Sequence, residues 1–378
     1  MKIRVLICLL FTIAISFAQS SVKRLDGSTI SANDLTREIS QIAETAKIAG
    51  LSLIVINNNK IIYENYFGTK DIRTQLKPDR QTIFYAASFT KPLFTYAFLK
   101  LVDKKVFDLD KPIYQYLKKS ISEYPKWADL AKEKDFNKIT PRMILSHSSG
   151  LPSIRDSVLK LSAKPAEKFY YSNEGMNLLG FVTSEYLGKK LEDIVKDSVF
   201  DPLNMKRTAM VWNKSFEDNY AYGYNSKGES EGAQKRESAR AAGSMVTTVH
   251  DYAQFMMAVL EQKGLTKKLF NAMFKPQILI KSSRGFGPAK DTLTTKNDDI
   301  HLGWGLGWGI FQTNAGKAFF HSGNIEGWKN YCVAYPEKKM AVIILSNSDN
   351  ANPQFGKIVN ATIKDTQSPL KWLGCYDN

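Results

Sequence analysis

The placement of the strand-like runs constrains this chain more than any other feature. Near the N-terminus stands "LSLIVINNNKIIYENYFG" (Leu51 to Gly68), two runs rich in β-branched residues around an Asn-rich turn, which predicts an antiparallel hairpin. The other strand-like runs, "GWGLGWGIFQ", "KAFFHSG", "WKNYCVAYP" and "KMAVIILSNS", all fall in the last third. Between the two groups the spacing is mostly helical. The pattern predicts one antiparallel sheet assembled from both ends of the chain, with a helical lobe inserted.

Helix punctuation supports that reading. "SANDLTREISQIAETA" (Ser31 to Ala46) opens on capping residues and spaces Leu35, Ile39, Ile42 and Ala46 at helical intervals. Ser88 to Val102 is helical in spacing, with Pro92 in the first turn, where a missing N–H does no harm. "ITPRMILSHSSGLP" reads as a short helix closed by Gly150 and Pro152. "EGMNLLGFVTSEYLG" is predicted to end at Gly188, and "TVHDYAQFMMAVLEQKG" at Gly264. A last helix is predicted over Pro353 to Lys364, and the polar stretch Lys281 to Asp299 as an exposed loop. The expected class is α/β in the α+β sense, an antiparallel sheet flanked by N- and C-terminal helices. Its α/β lobe should span about 31–87 and 246–365, and its all-helical lobe about 88–245, within one domain of residues 19–378.

The first 18 residues read as a secretory signal. Lys2 and Arg4 precede an apolar core from Val5 to Phe17, and Ser16-Phe17-Ala18 offers small residues for cleavage before Gln19. That core is shorter than the roughly 20 residues a membrane span needs, so no membrane anchor is expected after cleavage. The expected location is periplasmic or secreted. Losing Lys2 and Arg4 lowers the formal net charge from +15 to +13. A basic exported chain is drawn to anionic surfaces, but no nucleic-acid module is visible, so nucleic acid is not expected as a partner. Two cysteines survive cleavage, Cys332 and Cys375; an oxidising compartment permits a disulfide between them, and two separate thiols are the favoured reading. The four histidines show no metal-ligand spacing, so neither metal nor other cofactor is expected. Oligomeric state is not legible.

One literal motif is set aside. "GESEG" (Gly228 to Gly232) matches the G-x-S-x-G elbow, but no buried strand precedes it and two glutamates flank Ser230; it reads as an exposed loop. "GWGLGWG" lacks dinucleotide-loop spacing and reads as a strand with close backbone approach. "YAASFTKPLF" (Tyr85 to Phe94) is different: it places Ser88 and Lys91 three residues apart in an apolar segment. On a helix these face the same side. A lysine desolvated there can lose its proton and serve a serine as base. Alone, the pair also fits an N-cap serine followed by a surface lysine.

Further segments decide between the two. Tyr171-Ser172-Asn173 follows in "FYYSNEGMNLLG", and His321-Ser322-Gly323 in a predicted strand. That order resembles the penicillin-recognising serine hydrolases. "ILSHSSGLP", "AAGSMVTT" (Ala241 to Thr248), "GLGWGI" and "PEKKMAVIILSN" are similar to segments of the β-lactamase-related family, over about Leu35 to Lys364. The family holds class C β-lactamases, D-Ala-D-Ala carboxypeptidases, D-aminopeptidases and esterases. The resemblance implies a β-lactamase/transpeptidase-like fold and Ser88 as an acylated nucleophile. It implies that Lys91 and Tyr171 share the proton handling, with Tyr171 as base on Ser88, and that Asn173 holds the substrate's acyl side chain. His321, Ser322 and Gly323 would stand in the place of a K-T-G strand motif. The backbone N–H groups of Ser88 and Asn324 would form an oxyanion hole. Asn173 is also a candidate helix cap, His147 is expected to close a loop at the edge of the helical lobe, and His250 and His301 are expected at the surface.

The departure is histidine for lysine at position 321. With a reference pKa near 6.5, it is mostly neutral at pH 7 and would gain charge only toward pH 6. That tilts the expectation toward an esterase or peptidase on a small-molecule or peptide substrate, rather than a strong β-lactamase. The alternatives are a D-Ala-D-Ala carboxypeptidase or D-aminopeptidase acting on cell-wall peptides, and a non-catalytic muropeptide binder.

Overall fold

The computed structural model describes residues 21–375; the expected signal, 1–18, lies outside them. The sheet has eight strands: β1 (Gly50–Asn57), β2 (Lys60–Gly68), β3 (Ile278–Leu279), β4 (Gly303–Trp304), β5 (Gly309–Thr313), β6 (Gly316–Ile325), β7 (Trp328–Tyr335) and β8 (Met340–Ser346). Their spatial order is β2-β1-β8-β7-β6-β5-β4-β3, and every neighbouring pair is antiparallel. The N-terminal hairpin thus docks on the C-terminal strands, as its isolation in the sequence implies. Its turn residues Asn58 and Asn59 both have positive φ, 49° and 58°, the conformation a tight hairpin needs and asparagine tolerates.

The central strands are apolar on both sides because both faces are covered. Along β1, Leu53 and Val55 join one core, and Ile54 and Ile56 the other. Along β8, Val342 and Ile344 alternate in the same way with Ala341, Ile343 and Leu345. The first face carries helices α1 (Ala32–Thr45) and α6 (Phe355–Ile363). Ser31 caps α1 by accepting from the Asp34 N–H at 3.1 Å, and Leu35, Ile39 and Ala43 are its buried residues. The second face carries α5 (Val249–Leu260), capped by Thr248, and through it a core continuous with α2 (Thr90–Asp103) and α4 (Asn173–Leu187).

Several local expectations are corrected. "GWGLGWGIFQ" is not one strand but β4, a tight turn with Gly307 at φ 77°, and β5. The helix in "ITPRMILSHSSGLP" is α3 (Pro141–Leu145) and stops well before Gly150. His147, just past it, takes the left-handed conformation at φ 54°. The helix at Val249 ends at Leu260, before the predicted Gly264. The last helix begins as a tighter 3₁₀ stretch, Asp349–Gln354, before α6. Ser230 sits in a short strand, Ser230–Gly232, paired with Gly223–Tyr224, and it remains exposed as expected of a decoy.

Candidate active site

Ser88 lies in a 3₁₀ turn, Ala87–Phe89, that leads into α2. From Thr82 to Leu99 every residue is buried except Ser88, so the fold surfaces one hydroxyl from an apolar segment. Ala87, just before it, is held at φ 47°, a left-handed conformation unusual for alanine. Two elements clamp the turn. The segment "AAGSMVTT" runs beside it: Phe84–Tyr85 pairs antiparallel with Val246–Thr247, and the Thr90 hydroxyl accepts from the Ser244 and Met245 N–H groups at 3.2 and 3.1 Å. On the other side lies β6. A Cβ at Gly323 would stand 2.5 Å from the Ala86 carbonyl oxygen, so only glycine lets this strand approach the turn. Asn330 on β7 completes the clamp, donating to the Tyr85 carbonyl at 3.1 Å.

Lys91 is fully buried, and its ammonium nitrogen has three partners. It reaches Ser88 Oγ at 2.9 Å, Asn173 Oδ1 at 2.7 Å and the Ala242 carbonyl at 2.7 Å. Burial holds its pKa well below the ordinary lysine value. Two of the partners can only accept. A neutral Lys91 therefore gives its two N–H bonds to Asn173 and Ala242 and turns its lone pair toward the Ser88 hydroxyl. Tyr171 is buried beside them, with Lys91 Nζ 4.8 Å from its ring centroid and its phenol near the Ser88 hydroxyl. Burial raises the phenol's pKa, so it carries its proton.

Asn173 is the first residue of α4, not its cap. Ser172 is the cap, accepting from the Gly175 N–H at 2.7 Å. This leaves the Asn173 amide free to bridge Lys91 and the Ser153 hydroxyl, the latter at 3.0 Å. His147 does fasten a loop, but deep in the site rather than at a lobe edge. It is 1% exposed, its Nδ1 accepts from the Ser172 N–H at 3.1 Å, and its ring lies 4.2 Å from that of Tyr171. His301 is exposed as expected; His250 is half-buried against Glu64 at 3.2 Å.

His321 departs furthest from expectation. It is on β6 as predicted, but its side chain is buried among Phe89, Trp304 and Trp308. Nδ1 lies 2.7 Å from the Ser322 carbonyl and so holds the proton. Nε2 is buried with no partner among the described residues. Burial lowers its pKa to about 3. The ring therefore does not charge on the way to pH 6, and it lines neither cavity beside Ser88. Ser322 is half-buried, and Asn324 is exposed, its side-chain oxygen taking a bond from Lys329 at 2.7 Å.

Two cavities, one lined by Ser88 and the other by Tyr171, meet at Ser153 and Ile154. The first, about 340 Å³, is lined by Ser88, Asn173 and Asn324 and by Arg236 and Arg240. The second, about 410 Å³, opens on Tyr171, Tyr170, Phe169 and Phe286. Phe286 comes from the stretch expected to be an exposed loop. It is itself exposed, and it also walls the cavity, with the Phe286 ring 4.8 Å from that of Tyr171. The sequence reading missed the Ala242 carbonyl, Ser153 and Asn330. A backbone acceptor leaves no side-chain signature, and the other two act only through contacts across more than one element.

An antiparallel sheet with helices on both faces, and a serine–lysine–tyrosine cluster at the junction with the helical segment, define a class of serine hydrolases. Residues 35–361 match the family model described as "Beta-lactamase", and the chain belongs to that family. It is 23% identical to Protein flp of Staphylococcus aureus over 341 residues, 83% of this chain and 63% of that protein. It is 24% identical to the unguisins hydrolase ungD' of Aspergillus campestris over 357 residues, 85% of this chain and 63% of that one. The chain thus spans a little under two-thirds of the length of these curated relatives. Its fold matches the octameric penicillin-binding protein homologue from Pyrococcus abyssi with a TM-score of 0.70 at 22% identity, covering 85% of this chain and 74% of that one.

Proposed function

We propose that this protein is an exported serine hydrolase that cleaves an ester or amide bond through an acyl-enzyme on Ser88. The supporting observation is the environment of Lys91: a fully buried amine with two obligate acceptors and one hydroxyl as partners. Lys91, rather than Tyr171, takes the Ser88 proton, because burial favours neutral amine and neutral phenol alike. Ser88 Oγ then attacks the carbonyl carbon, and the new oxyanion faces the Ser88 and Asn324 N–H groups. Ser88 N–H belongs to the first turn of its helix, where no earlier carbonyl is available to it. Such donors each contribute about 3–4 kcal/mol of transition-state stabilisation. As the bond to the leaving group breaks, Tyr171 gives that group its proton and recovers one from Lys91. Water then attacks the acyl ester, its proton returns through the same pair, and Ser88 regains its hydroxyl.

The neutral, buried His321 supplies no cation for a substrate carboxylate in the strand position. This favours esters and amides that present no carboxylate to the strand over β-lactams. Incubation with a fluorophosphonate followed by peptide mass spectrometry tests the reading. The adduct is expected on Ser88 and absent in Ser88→Ala; an adduct on Ser230 overturns it. Export is tested by N-terminal sequencing of protein from the native host, with Gln19 expected first.

A further inference from the structure

Among the described residues, most arginines sit against a carboxylate: Arg24, Arg37, Arg73, Arg80, Arg142, Arg155 and Arg207 all do. Arg236, Arg240 and Arg284 do not, and all three line the cavities beside Ser88.

Arg236 and Arg240 share the cavity that opens on Ser88. Both are carried on anchored backbone. The Arg236 carbonyl accepts from the Trp212 N–H at 2.7 Å, and the Arg240 N–H donates to the Ser244 hydroxyl at 2.9 Å. The Arg236 guanidinium lies 5.6 Å from the Tyr85 ring centroid, and its Nε is buried with no partner. Tyr85 is itself held, its phenol donating to the Gly243 carbonyl at 2.9 Å. Glu174, the acid lining this cavity, is already engaged by Arg155 at 3.3 Å. The cavity is therefore cationic, with two planar donors suited to a carboxylate. In the cavity on the Tyr171 side, Asp156 stands with Arg284 and Lys290, and an Arg284 N–H is given to the Lys371 carbonyl at 2.9 Å.

The two cavities have different chemical roles. The proton donor for the departing group is Tyr171, so the leaving group belongs in the cavity Tyr171 lines. The acyl group belongs in the other. We infer that Arg236 and Arg240 form an acyl-side subsite for a carboxylate, so the preferred substrate carries a negative charge on its acyl portion. The inference rests on Ser88 being the acylated residue.

The test compares mono-p-nitrophenyl adipate with p-nitrophenyl hexanoate, esters that differ in one terminal carboxylate. Wild-type kcat/KM should favour the adipate ester by about tenfold or more. The preference should shrink with added salt and collapse in the Arg236→Gln/Arg240→Gln variant. A wild-type ratio near one, or a ratio that survives in the variant, overturns the inference. Binding gives an answer without turnover: calorimetry on Ser88→Ala should show adipate monoamide binding more tightly than hexanamide, and should show that difference vanish when both arginines are replaced. If neither ester is hydrolysed and Ser88 takes no label, the acyl-enzyme reading fails. The binding comparison then still decides the subsite: equal affinity for the two amides overturns it.

Discussion

Acidification should destabilise this protein partly through His321, and the size of the effect follows from its burial. The ring's pKa falls from 6.5 to about 3 in the folded chain. Between those values the unfolded chain binds a proton that the native state refuses. Stability from this group is therefore fully present above pH 6.5 and is lost progressively as pH falls toward 3. The slope for one such group is about 1.4 kcal/mol per pH unit, so the step from pH 6 to pH 4 removes about 3 kcal/mol. His147 is shifted in the same direction by burial and adds its own loss. The assay is urea unfolding of wild type and His321→Gln at pH 4, 5, 6 and 7. The variant lowers stability at pH 7 through lost packing, but its pH dependence should be flatter by about 1.4 kcal/mol per unit between pH 4 and 6. Carboxylates contribute equally to both curves and cancel in the difference. Parallel curves would show that His321 titrates alike in both states and that the buried, neutral ring is wrong.

Lys91→Ala and Tyr171→Phe should each lower kcat on any substrate found by a factor of about 10² or more. The double variant should be little worse than the poorer single, because groups passing one proton act as a unit; multiplicative losses would indicate separate roles. Gly323→Ala should force β6 away from the Ser88 turn, since its Cβ would meet the Ala86 carbonyl at 2.5 Å. A loss of about 1–3 kcal/mol in urea unfolding, with a fall in kcat larger than in KM, is the expected result. Cys332 and Cys375 are free and buried, and burial raises both thiol pKa values, Cys375 to about 12. Native protein should react with a thiol reagent far more slowly than urea-unfolded protein at the same pH.

The sequence by itself determined most of the sheet and which residues form the buried cluster around Lys91. Hydrophobic period and turn residues are local properties, so the Asn58-Asn59 hairpin, the Ser31 cap of α1 and the Gly188 end of α4 were all legible one segment at a time. Ser88, Lys91, Tyr171 and Asn173 were legible because their order along the chain is itself a pattern. Tertiary structure decided what each group does there. Lys91 becomes a candidate base only because Asn173 and Ala242, remote in sequence, occupy its donors within a sealed core. His321 read as a mostly neutral imidazole that would gain charge toward pH 6; packing against Phe89, Trp304 and Trp308 keeps it neutral far below that. Arg236 and Arg240 were two basic residues among many, until the fold brought them to the nucleophile's cavity without a carboxylate to neutralise them. Burial and charge pairing depend on which segments meet in space, and a local pattern of residue types carries no record of that.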